Sequence, residues 1–195
     1  MKKIILASIV AGLAVLHVSA QQTAFKNTDM VGTWDSKGCE TFMAGAETAF
    51  IKRNFVFTTG TWQLKYTIFA DPTCNVQLFT NKIVGPYTLG GVVSPNTLKV
   101  TWGQTAKFIT AHVPDIQGVL NQTGCGDASL PINTERDISV TGCQAFGVLN
   151  VKDYGQEFDI LKLEKNQLFT GLRTENMNLE KNRPTKIFEF ALIKR

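Results

Sequence analysis

Apolar and polar positions alternate with a period of two along most of this chain, the mark of half-buried β-strands. Trp62, Leu64, Tyr66 and Ile68 interleave with Thr61, Gln63, Lys65 and Thr67, and Ile51, Phe55 and Phe57 share one face of the segment before them. Thr58-Thr59-Gly60 between the two is a short hairpin connection containing glycine. Leu98, Val100 and Trp102 mark the next strand, and Gly103-Gln104 turns it into Lys107–Val113. Further strands are expected at Ala145–Val151, Glu157–Glu164, Leu168–Leu172 and Lys186–Ile193, with Lys165-Asn166 as a two-residue turn. Pro114 opens the one segment with helical spacing, Ile116, Val119 and Leu120 forming its apolar face. Segments 121–134 and 176–184 read as loops. Roughly eight to ten strands joined by short turns predict an all-β fold, an antiparallel up-and-down barrel or a strongly curled sheet, with one short helix.

Before the first strand, Lys2-Lys3, the apolar run Ile4–Leu16 and Val18-Ser19-Ala20 have the pattern of a signal peptide over residues 1–20. That predicts a secreted, extracellular protein, periplasmic in a bacterial host. Residues 21–195 then form a single domain, and no later stretch reaches the roughly 20 apolar residues that a membrane-spanning helix needs. The formal charge of +4 drops to +2 without Lys2 and Lys3, too weak and scattered to indicate nucleic acid. Cys39, Cys74, Cys125 and Cys143 are even in number and, in an oxidising compartment, should pair. Three connectivities are open; locality favours Cys39–Cys74 and Cys125–Cys143. The cysteines lack the paired C-x-x-C knuckles of a zinc site, so no metal is expected. Asn121-Gln122-Thr123 is a glycosylation sequon, with meaning in a eukaryotic host.

No segment carries a catalytic, cofactor or phosphate-binding motif. His112 is the one histidine outside the leader, and a hydrolase would have to rest on it alone; the chain therefore reads as a binding protein rather than an enzyme. Glu157 and Asp159 share one strand face, read as turned to solvent. Arg53 lies on the apolar face with Phe55 and Phe57, and a buried arginine needs a carboxylate; Glu40 is its expected partner.

Gly32-x-Trp34 resembles the start of the lipocalin fold, in which a basic residue from a late strand covers the tryptophan at the barrel base; Arg173 is the expected cation. Taken in order, Gly32-x-Trp34, Cys39-Glu40, Phe50-Ile51-Lys52-Arg53, Trp62 with Tyr66, Asp71-Pro72-x-Cys74 and Gly85-x-Tyr87 are followed by Cys125-Gly126, Gly142-Cys143, Glu157–Glu164, Leu168-Phe169 with Gly171 and Arg173, and Arg183-Pro184. This series resembles the domain of the adenomatosis polyposis coli down-regulated 1 family. The resemblance implies a lipocalin-like barrel with an apolar pocket and, for animal members with two such domains and a membrane anchor, extracellular antagonism of Wnt signalling through an acylated ligand. The chain departs from that pattern in having one domain, and in carrying Phe42 where family members have arginine. The expected function is to hold a lipid or acyl group, free or attached to a Wnt-like protein, in a lumen lined by Phe55, Phe57, Trp62, Leu64, Tyr66, Trp102 and Phe108. The alternative is protein recognition through loops, with the barrel filled.

Overall fold

The computed structural model describes residues 25–44, 47–126 and 130–195; the leader expected over residues 1–20 lies outside them. A single turn of helix, α1 (Asn27–Met30), leads into β1 (Gly32–Ser36), β2 (Glu40–Ala44), β3 (Glu47–Phe57) and β4 (Thr61–Phe69). The long β5 (Gln77–Ser94) is followed by β6 (Thr97–Gly103), β7 (Ala106–Ala111), helix α2 (Pro114–Gln122) and the two-residue β8 (Arg136–Asp137). Strands β9 (Gln156–Glu164), β10 (Gln167–Thr170) and β11 (Leu192–Lys194) complete the chain.

Eight strands close into an antiparallel barrel, running β1, β3, β4, β5, β6, β9, β10, β11 and back to β1. Closure removes the exposed edges that an open sheet of this size would present. Apart from β2, which pairs only with β3, and the β7–β8 excursion, neighbours in the ring follow one another in sequence, which is the up-and-down order that the short turns predict. Lys165 and Asn166 both have positive φ, as a two-residue hairpin turn with the right twist requires.

Strand β5 serves two partners in succession. Gln77–Pro86 pairs with β4, and Tyr87–Ser94 pairs with β6. Its first half also carries β7 on the edge away from β4, and β7 carries β8. The corner lies at Gly85-Pro86, packed directly on Gly103: a Cβ at Gly85 would collide with the Gly103 carbonyl, and one at Gly103 would lie 2.8 Å from the Pro86 ring. Only glycine fits at such an approach.

Two cores result. The larger fills one end of the barrel with Met30, Trp34, Phe55, Phe57, Trp62, Tyr87, Val100, Trp102, Leu161, Leu168 and Leu192. Trp34 Nε1 donates to the Met30 carbonyl at 2.7 Å, so α1 is tied down as a plug. The smaller core lies beside the barrel, where α2 covers β7: Ile109, Leu120 and Ile138 are wholly buried around the Cys125–Cys143 disulfide. The other disulfide joins Cys39 to Cys74, the pairing that locality favours; each closure stabilises the fold by about 2–4 kcal/mol.

Three expectations about elements change. Ala145–Val151 is not a strand but a 3-10 turn at Gln144–Phe146 and a tight loop, held by paired backbone bonds between Cys143 and Val148. The last strand is Leu192–Lys194 rather than the whole of Lys186–Ile193. Among the described residues a second helix, the single turn α1, accompanies the expected one; it is too short for its periodicity to register in sequence.

A polar cluster at the barrel end away from the first helix

The inward face of each strand is set by register. Phe57, Phe55 and Arg53 on β3 face Trp62, Leu64 and Tyr66 on β4, which in turn face Gly85, Ile83 and Asn81 on β5. Farther round, Tyr87 on β5 faces Trp102, and Trp102 and Val100 on β6 face Glu157 and Asp159 on β9. The lumen is therefore aromatic towards α1 and polar towards the opposite end.

Four of the seven expected pocket residues form a packed floor. Trp62 and Trp102 lie 4.7 Å apart between ring centroids, Phe55 and Phe57 stack at 5.6 Å, and Phe55 approaches Trp102 at 6.1 Å. Such contacts add about 0.5–1.5 kcal/mol per pair beyond burial. Leu64 and Tyr66 also point inward but stay half-buried, and with Ile83 they form the wall above that floor. Phe108 does not belong to the set: Lys107 and Ile109 take the inward positions on β7, and Phe108 lies outside under the Lys82 ammonium, 4.0 Å from its ring centre.

Above the wall, the ends of β6, β9 and β10 bring together a charged group. Glu157 and Asp159, read from sequence as solvent-facing, are 7% and 5% exposed. Arg173, just past β10, grips Glu157 with two hydrogen bonds of 2.6 and 3.2 Å while two thirds of its own side chain (66%) remains accessible. Gln104 Nε2 reaches the same carboxylate at 3.4 Å. Asp159 accepts from Trp102 Nε1 at 3.2 Å and from the Ile160 and Gly171 amides, and a side chain at Gly171 would collide with its carboxylate. Lys107 Nζ is anchored on the Leu149 and Tyr154 carbonyls at 2.8 Å each.

Burial, reinforced by the Glu157 charge, pushes the Asp159 carboxyl up to about 7. Burial lowers the Lys107 ammonium to about 8 against the opposing pull of Glu157. Burial raises the Tyr154 hydroxyl to about 12, with Glu157 adding to it, and burial raises Tyr66 too. For Arg173 the crowding by neighbouring side chains works against the charge, but Glu157 beside it more than compensates and holds the guanidinium above its ordinary value.

Asp159 makes the fold pH-sensitive. An unfolded aspartate titrates near about 3.9, so between about pH 4 and pH 7 the folded chain retains a proton that the unfolded chain has lost. Stability from this group is therefore expected to fall as pH rises through that window and to level off above 7. Urea titrations across it should show Asp159→Asn with a flatter profile; an unchanged slope would contradict the assignment.

At the barrel base, the cation over Trp34 is Lys194 of the adjacent β11, 5.2 Å from the ring centre, and not Arg173. The expected Glu40–Arg53 pair is present and buried. Arg53 Nε and Nη2 reach Glu40 at 2.8 and 3.1 Å, Nη1 crosses the lumen to Thr170 Oγ1 at 2.8 Å, and Nη2 also donates to the Phe190 carbonyl at 2.9 Å. The Asn121 carboxamide oxygen, near the end of α2, accepts from the buried Arg136 of β8 at 2.7 Å, so the sequon asparagine is engaged in joining α2 to β8. His112 is engaged on both ring nitrogens, by Thr80 and Asn133 at 2.8 Å each. Among the described residues no three His, Cys, Asp or Glu side chains gather as a metal site would require, and no helix is long and apolar enough to cross a membrane. No family model matches the chain, and no curated protein does.

Proposed function

We propose that this protein is a lipocalin-like binding module that takes one small amphipathic molecule at the end of its barrel away from α1. The observation that carries this reading is the layering of the lumen, in which an aromatic floor and a half-buried wall of Leu64 and Ile83 sit below a charged ring of Glu157 and Arg173. An apolar segment against the wall would contribute about 0.8 kcal/mol per methylene, and the polar group would remain in the ring. The resemblance to the adenomatosis polyposis coli down-regulated 1 family supports the same reading, with an acyl group, free or protein-bound, as the ligand and an extracellular setting. The packed floor argues for a short apolar segment rather than a long chain lying through the lumen.

Native mass spectrometry of the mature chain with short- and medium-chain amphiphiles is expected to show one molecule bound per protein, and Leu64→Trp, which fills the wall, to remove it. Binding unaffected by Leu64→Trp would place the site elsewhere. A second reading, protein recognition, is favoured by the loop across residues 139–151, where Val140 is 87% exposed and Leu149 is also exposed; a chain that binds no amphiphile yet loses a partner on Val140→Asp would support it.

A further inference from the structure

Resting on that reading, we propose that the polar group of the ligand is an uncharged amide, of the class carried by acyl amides, and that Asn81 is the residue that reads it. Asn81 is 2% exposed on the inward face of β5, facing Tyr66 of β4 in register. Its carboxamide lies beside the Tyr66 hydroxyl, and that hydroxyl is in the field of both Arg173 and Glu157. Apart from that loose contact with Tyr66, neither Oδ1 nor Nδ2 of Asn81 closes a hydrogen bond within the protein, so Oδ1 and one N–H of Nδ2 are left over. Gln104 repeats the pattern, donating to Glu157 through Nε2 while its buried Oε1 has no partner. Buried polar groups are rarely left unpaired, since each such loss costs about 1–3 kcal/mol. Asn81 therefore offers one donor and one acceptor side by side in a plane, the complement of a second amide.

The charges near its Tyr66 neighbour disfavour a charged group. Glu157 opposes a carboxylate, whereas Arg173 and Lys107 oppose an ammonium, and Glu157 already has its Arg173 partner. A neutral group with both hydrogen-bonding functions satisfies Asn81 without disturbing that balance.

Isothermal titration of the mature chain with hexanamide, hexanoate, hexylamine and hexanol at neutral pH tests this. Hexanamide is expected to bind at least tenfold more tightly than the other three. In Asn81→Leu the hexanamide affinity should fall to that of hexanol, with no loss of thermal stability, because the variant removes unpaired polar atoms. Four equal affinities in the parent chain would overturn the amide assignment, with ordered water then satisfying Asn81, and leave the binding-module reading standing; no binding by any probe would overturn both. If Asn81→Leu lowers stability while retaining the preference, Asn81 is structural and the assignment is wrong; Asn81→Gln, which keeps the amide, separates loss of shape from loss of recognition.

Discussion

Arg53→Met is expected to lower the unfolding free energy by about 3–5 kcal/mol, the scale for removing one partner of a buried ion pair. The substitution leaves Glu40, itself buried, with Ser36 Oγ at 2.7 Å as its remaining side-chain donor. It also releases the two contacts by which the guanidinium crosses to the β10–β11 side, at Thr170 and Phe190, and its stacking 5.0 Å above the Phe188 ring. Urea denaturation of the disulfide-intact chain measures this directly. The double variant Glu40→Met/Arg53→Met should recover much of the loss, because the stranded charge goes with its partner. A single variant within about 1 kcal/mol of the parent would mean that water reaches Glu40 and that the pair adds little.

Trp102→Ala should cost a similar amount, about 3–5 kcal/mol, for a different reason. Trp102 contacts four other rings, those of Phe55, Phe57, Trp62 and Tyr87, with every centroid within 6.1 Å. Its removal opens a cavity in the floor and takes from Asp159 its indole donor. The lost hydrogen bond favours the protonated carboxyl, so the stability decline of this variant should extend to higher pH than in the parent chain. Trp102→Phe restores most of the volume but not the donor, and comparing the two variants separates the packing loss from the pH effect. Equal pH profiles for the parent, Trp102→Ala and Trp102→Phe would show that the indole does not set the Asp159 titration.

The alternation of Trp62, Leu64 and Tyr66, the turn at Lys165-Asn166, the helix opened by Pro114 and both disulfides were legible in the chain because each rests on local chemistry. The inward charges were not. In β9 the apolar phase switches partway, with Phe158 and Ile160 marking one face and Leu161 and Leu163 the other. Period alone assigns Glu157 and Asp159 to solvent; pairing with Trp102 and Val100 puts them inside. The same misphasing moved Phe108, since nothing in Lys107-Phe108-Ile109 announces that the lysine is the buried member. The pattern of a basic residue on a late strand points to Arg173 as the cation over Trp34, but register reserves that position for Lys194. Arg53 is legible because its three apolar face-mates, Ile51, Phe55 and Phe57, leave no ambiguity of phase.

The shape of the ring also dictates an order of assembly. Strand β1 lies between β3, its near neighbour in sequence, and β11, which is formed by residues 192–194. The other ring pairings join strands that follow one another more closely, the widest being β6 with β9 across residues 104–155, but the seam between β1 and β11 cannot form until β11 exists. Pairings so distant in sequence form slowly, so closure should be the late step that traps α1 and the aromatic floor. Until then the Cys39–Cys74 bridge lies wholly within the first half of the chain, able to form on an open sheet before the barrel has an inside.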